Sequence, residues 1–137
     1  MTESSRKSPK KGRLGQTLQK QERLYEKGLI ETVFRKGNAI HHQPVKLLWV
    51  PSEEKHPIPV RAAFSVPKRI FKNAVTRNLL KRRMREAYRK NKIISTPEGA
   101  TYALVFIYTG HKINAYAEIE SKIVLTLQQF KAAVGAE

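Results

Sequence analysis

A chain of 137 residues with 27 Lys and Arg against 11 Asp and Glu carries a formal net charge of +16, and it contains no cysteine. Disulfides and thiolate zinc sites are thereby excluded. No apolar run reaches the roughly 20 residues that span a bilayer, and the N-terminus lacks the apolar core of a secretory signal. The expectation is a soluble, cytoplasmic protein of one domain. Its charge favours nucleic acid, because neutralised phosphates release condensed counterions; a membrane surface is the rival partner.

Residues 1–20 hold six basic side chains, one acid and few aliphatics, the composition of a disordered basic arm. It serves either as a solubilising tail or as an auxiliary RNA-binding arm, and residues 21–137 form the folded domain. Leu29, Ile30, Val33 and Phe34 recur at helical spacing before Gly37, which predicts a helix over 26–36. The run from Val45 to Val50 reads as a strand that Pro51 limits. Residues 51–59 form a proline-rich connection, and Val60 to Val66 alternates as a half-buried strand with Arg61, Ala63 and Ser65 on its outer face. The two strands are expected to pair as a hairpin.

Pro67 closes the second strand, and a loop from Lys68 to Lys72 leads to Asn73, a good N-cap for a helix over 74–91. Ser95 to Gly99 is a turn cluster. Thr101 to Thr109 is almost continuously apolar, as in a strand buried on both faces. Tyr116 to Val134 carries Ile119, Ile123, Leu127 and Phe130 along one helical stripe. The order α-β-β-α-β-α predicts an α+β sandwich with a mixed sheet, in which the second and third strands are parallel neighbours. By the general rule their crossover is right-handed.

From Lys68 to Lys92 there are eleven Lys or Arg residues and a single acid, Glu86. At 100° per residue Leu80, Met84, Ala87 and Tyr88 face the sheet, while Asn78, Lys81, Arg82, Arg85 and Arg89 cover an adjoining arc. Arg77 lies between the two sets. An ordinary solvated helix face mixes charge signs and gains from i,i+4 pairs. Here the cations repel one another, which is intelligible if the ligand supplies the anions. Arg adds bidentate contact with phosphate and stacking on bases, whereas Lys acts as a point charge.

These residues resemble the protein subunit of bacterial ribonuclease P. That family carries a signature of the form K-(K/R)-…-(A/N)-(V/H)-x-R-N-x-x-K-R-x-x-R-(E/Q). This chain presents Lys68-Arg69, then Asn73-Ala74-Val75-Thr76-Arg77-Asn78, then Lys81-Arg82 and Arg85-Glu86. Arg23-Leu24, Val33-Phe34, Gly37 and Leu104–Tyr108 extend the resemblance over about residues 21–133. One departure is Leu79, where most relatives have a second Arg after the Arg-Asn pair.

The resemblance implies a fold close to domain 2 of ribosomal protein S5, with a left-handed β-α-β crossover in place of the default hand. It implies an endoribonuclease in which the catalytic RNA, with Mg²⁺ held mainly by the RNA subunit and the substrate, removes the 5′ leader of precursor tRNA. No catalytic residue and no organic cofactor are then expected in the protein. Carried over by position, Lys68, Arg69, Lys72, Arg77, Asn78, Lys81, Arg82, Arg85 and Arg89 form the RNA-facing set. Ile30, Phe34, Lys46 and Leu48 are candidates for a cleft that holds the leader, with core packing the alternative for Phe34. The partners implied are the catalytic RNA and precursor tRNA, with no membrane and no obligatory protein partner.

The remaining chemistry-bearing residues have plainer readings. His41, His42, His56 and His111 show no metal-ligand spacing and read as surface loop residues. Glu53-Glu54 and Glu118/Glu120 read as solvated charges, and Trp49 as packing. A structural ribosomal protein or a general RNA chaperone would share the charge and fold class without promoting leader removal. A DNA regulator of helix-turn-helix type is disfavoured, because strands flank the basic helix.

Overall fold

The apolar residues partition onto two faces of one sheet, and helices close both. The computed structural model describes residues 23–24, 27–52, 58–92 and 96–135. In chain order these form α1 (Lys27–Lys36), β1 (Asn38–His42), β2 (Val45–Ser52), β3 (Val60–Ser65), α2 (Ala74–Asn91), a 3-10 turn at Pro97–Gly99, β4 (Thr101–Tyr108) and α3 (Tyr116–Val134). The basic arm expected at 1–20, the Glu53-Glu54 pair and His56 lie outside the described residues.

The strand order is β1-β2-β4-β3. β4 is antiparallel to β2, with Leu48 opposite Val105, and parallel to β3, with Ala62 opposite Leu104. α2 is therefore the crossover between two parallel neighbours, as the pattern predicted. The hairpin expected between the strands at 45–50 and 60–66 is not formed, because β4 lies between them. The reason is burial. β4 is apolar on both faces, and only the central position covers both of them and pairs both of its backbone edges.

The larger core joins Val45, Leu47, Ala62, Leu104 and Phe106 of the sheet to Leu80, Met84, Ala87 and Tyr88 of α2, and to Ile119, Ile123, Leu127 and Phe130 of α3. Trp49 packs edge-on against Tyr102 (5.9 Å) and Phe130 (5.2 Å) within it, which is the packing role expected of it. The smaller core sets Leu48, Val50, Ala103 and Val105 on the opposite face under α1, with Val33 and Leu24. The Leu24 N–H donates to the Ala62 carbonyl at 2.9 Å, so the chain enters beside β3. α1 then crosses β4 and β2 before β1 pairs at the far edge.

That crossing explains two departures from the alternating pattern. Arg61, expected on an outer face, is only 2% exposed, because the side of β3 that it shares with Ala103 is covered as well. β1 adds a strand where no apolar alternation announced one, since its residues Asn38 to His42 form a mostly exposed edge. His41 and His42 are thus strand residues, not loop residues. Pro51 does not end β2, which continues to Ser52. It lies past the last pair with β1 (Trp49 with Asn38), where β2 is an edge strand and a missing donor is tolerated.

Two close approaches fix the corners. A Cβ on Gly37 would stand 2.3 Å from the Val33 carbonyl oxygen and 3.4 Å from the Leu48 Cβ, so only glycine lets α1 turn directly into β1. At the end of β4 the Tyr108 hydroxyl lies 2.7 Å from the Lys112 carbonyl and beside Asn114 Oδ1, and it accepts the Asn114 N–H at 3.1 Å. Gly37→Ala is expected to cost on the order of 2 kcal/mol, read as a lower denaturant midpoint with an unchanged slope. Tyr108→Phe should cost about 1–3 kcal/mol, because it leaves the buried Asn114 groups unsatisfied. A midpoint unchanged in that variant would mean that water replaces the hydroxyl.

Candidate nucleic-acid interface

Strand direction gathers the functional elements. β1, β3 and β4 end, and β2 begins, at one end of the sheet. The β1–β2 turn, the loop at 66–73 and the loop at 109–115 therefore share that end, and α2 starts from it. The positive end of the α2 dipole points the same way and adds to any anion affinity there.

The 66–73 loop is pinned from several sides. The Ile70 and Phe71 N–H groups both donate to the Pro67 carbonyl, at 3.3 and 3.2 Å. The Phe71 ring packs against Tyr108 with centroids 5.8 Å apart. Asn73 caps α2 as expected, its Oδ1 accepting the Val75 N–H at 2.8 Å. From this backbone Lys68, Arg69 and Lys72 project exposed.

Along α2 the buried stripe is Leu80, Met84, Ala87 and Tyr88, the arc that the helical spacing predicts. Asn78 and Arg82 are exposed, and Lys81, Arg77, Arg85 and Arg89 are half-buried. The cations differ in their engagement. Lys68, Arg69, Lys72, Lys81 and Arg82 have no acidic partner among the described residues. Arg77 donates from one terminal nitrogen to the carbonyls of Phe71 (2.8 Å) and Lys72 (2.9 Å). The Arg85 guanidinium stands 5.8 Å from the centroid of the Phe64 ring, itself stacked on Phe106. Arg89 chelates Glu86 through Nε (3.0 Å) and its second terminal nitrogen.

Arg83 and Lys90 are the α2 cations that the helical arc left out; Lys90 lies 5.5 Å from the Tyr116 ring centroid, and Arg83 has a structural task. Arg83 flanks the apolar stripe on the side of α3 and donates to the Asn114 carbonyl at 2.6 Å, which ties the start of α3 to α2. Its place beside Met84 is the one signal in the sequence for a structural Arg.

The candidate cleft residues divide by depth. Phe34 is 51% exposed on α1, so core packing does not account for it. Ile30 is half-buried nearby on the same helix. Leu48 is 8% exposed and belongs to the smaller core, whereas Lys46, on the same face of β2, is half-buried. Register places Lys46 in a row with His41 of β1, Ile107 of β4 and Ser65 of β3. His41, Ile107 and Ser65 were not assigned to this surface from the sequence, because the row exists only once β4 is central.

Among the described residues no three His or carboxylate side chains gather as metal ligands would, and no helix is long and apolar enough to cross a membrane. His41 Nε2 lies 3.2 Å from Thr109 Oγ1, and His42 pairs with Gln129. Glu120 accepts from Asn91 at 3.3 Å, and Glu118 borders a pocket of about 370 Å³ with Gln43, Pro44, Gly110, His111, Lys112 and Asn114.

Comparison with known proteins adds the following. A family profile described as Ribonuclease P matches residues 18–131. The "Ribonuclease P protein component" of Petrotoga mobilis is 35% identical over 123 residues, which cover 86% of this chain and 98% of that protein. The protein of the same description from Porphyromonas gingivalis is 41% identical over 75 residues, so that match spans about half of each, 55% in both cases. Among solved structures, the RNase P protein from Thermotoga maritima superposes with a TM-score of 0.63 at 22% identity, over 79% of this chain and 96% of that one. The Staphylococcus aureus RNase P protein gives 0.62 at 21% identity, over 79% and 95%.

The Arg89 hydrogen bond, with its charge, holds the Glu86 carboxyl below the usual carboxylate value of 4.5, against a smaller opposing effect of burial. A depressed carboxylate stabilises the fold above its unfolded pKa, and that contribution fades as pH falls through the folded value. The Glu86 carboxyl carbon, followed by NMR, should therefore titrate with a midpoint below 4.5 that rises toward it in Arg89→Ala. An unmoved midpoint would show that Arg89 is not the cause.

Proposed function

The chain belongs to the ribonuclease P protein family, and we propose that it acts as the protein subunit of ribonuclease P, assisting endonucleolytic removal of the 5′ leader from precursor tRNA in the cytoplasm. The observation that carries this reading is the set of exposed or half-exposed cations without acidic partners among the described residues, Lys68, Arg69, Lys72, Lys81 and Arg82, held on a pinned loop and a docked helix. Backbone of that kind loses little entropy on binding a phosphate chain, so released counterions drive association. Asn78 adds a donor and acceptor at the same surface.

In this reading the catalytic RNA binds across the 66–73 loop and the outward face of α2. The single-stranded leader lies against Phe34, Ile30 and Lys46, with Leu48 as the apolar floor beneath α1. Phe34 offers an exposed stacking face, and Lys46 a charge for the backbone. The bond-breaking chemistry belongs to the RNA. In this reading Mg²⁺ would be held mainly by the RNA subunit and the substrate.

The decisive measurement is cleavage of precursor tRNA at physiological magnesium. A bacterial catalytic RNA with this protein should trim the leader faster than the RNA alone, and the protein alone should cleave nothing. Equal rates with and without the protein would overturn the reading. Replacing Arg69, Lys81 and Arg82 together by Ala should lower the slope of log affinity against log salt by about 2, at roughly 0.7–0.9 for each lost phosphate contact. Phe34→Ala should weaken binding of precursor by about tenfold while sparing mature tRNA, given about 1–3 kcal/mol for a stacked base. Equal loss on both would remove Phe34 from the leader site.

A further inference from the structure

Arg77 belongs to the cationic signature, yet its geometry differs from that of its neighbours. One terminal nitrogen donates to two successive carbonyls, Phe71 at 2.8 Å and Lys72 at 2.9 Å, and its side chain is half-buried between the helix and the loop. Those carbonyls belong to the backbone that carries Lys68, Arg69 and Lys72. From this we infer that Arg77 is a positioning residue: it clamps the 66–73 loop to the first turns of α2, so that the loop cations and the helix cations meet RNA as one rigid array. The inference rests on the RNA-binding reading above and assigns Arg77 a part within it that is distinct from direct phosphate contact.

The physical need is plain. Lys68, Arg69 and Lys72 lie on the loop that leads into the positive end of α2, and like charges push such a loop outward. Within the loop, the bonds from Ile70 and Phe71 to Pro67 at 3.3 and 3.2 Å are long, and the Asn73 cap binds only the helix side. The Phe71 ring on Tyr108 holds one point. Arg77 supplies two further bonds across the junction, and a charged donor makes each stronger than a neutral one would be. Lys cannot reproduce this fully, since its ammonium lacks the planar fork and is more strongly hydrated.

The test has two arms. In the free protein, hydrogen exchange at the Ile70 and Phe71 amides should quicken about tenfold or more in Arg77→Ala and less in Arg77→Lys, while amides of β4 keep their protection. In RNA binding, Arg77→Ala should lower the log–log salt slope by about 2 or more, beyond the roughly 0.7–0.9 of a single contact. Added to a Lys68→Ala/Arg69→Ala/Lys72→Ala background, the same change should lower it by less than about 0.5. Unchanged loop exchange overturns the inference. So does a slope that falls by one contact equally in both backgrounds, which would make Arg77 a phosphate ligand. Absence of salt-dependent RNA binding by the unmodified protein is a different failure, that of the functional reading itself.

Discussion

The docking of Leu80, Met84 and Tyr88, with Ala87 between them, onto the sheet is what lets α2 exist with seven cations and one carboxylate in eighteen residues. Each large side chain buried contributes about 1.5–3 kcal/mol. Each like-charged i,i+4 pair costs a few tenths of that, about 0.2–0.5 kcal/mol. The apolar side therefore wins with room to spare, and the cationic side is carried as a tolerated strain. Everything proposed for the protein follows from that imbalance. Without a core to hold it, the same stretch would relieve its repulsion by unwinding, and its charges would reach a phosphate chain only at the entropic cost of being ordered.

Around this helix the structure sorts cations by task. Arg83 ties α2 to the start of α3 through the Asn114 carbonyl, Arg85 rests on Phe64, and Arg89 is held by Glu86. Arg77 bonds the Phe71 and Lys72 carbonyls and Lys90 lies 5.5 Å from the Tyr116 ring centroid, while Lys68, Arg69, Lys72, Lys81 and Arg82 project from the loop and the outward arc. A positive charge in the sequence is thus not a unit of RNA affinity. Guanidinium groups, with five donors in a fixed fork, take most of the internal roles, while Lys68, Lys72 and Lys81 stay at the surface.

Much of this was legible before any coordinates. The limits of α2, its Asn73 cap and its buried stripe follow from one amphipathic period, and α3 and β4 follow from patterns just as continuous. The signature from Lys68 to Glu86 identified the candidate interface. What could not be read is what depends on neighbours distant in the chain. The hairpin expectation failed because pairing partners are chosen by total burial, and β4, the most apolar strand, takes the centre. β1 carries almost no pattern, since an edge strand needs little. Arg61 looks outward in β3 by its alternation, yet it is buried where the chain at Arg23 and Leu24 lies beside that strand. The engagement of Arg77 with Phe71 and Lys72 is likewise a fact of the folded loop.

The attachment of Arg23 and Leu24 to β3 bears on how such a protein stays dispersed. β3 borders the sheet, and its run Val60 to Phe64 would otherwise be a ready template for strand addition by a second molecule. The bridge from Arg23 to Ala62 occupies part of that template with the protein's own chain. At the opposite border β1 is only five residues long and ends in two histidines. With both borders blunted and a large positive charge repelling like molecules, aggregation is opposed by design of the edges as well as by charge. Under the proposed function bound RNA would offset that charge, whereas the guarded edges would remain in place.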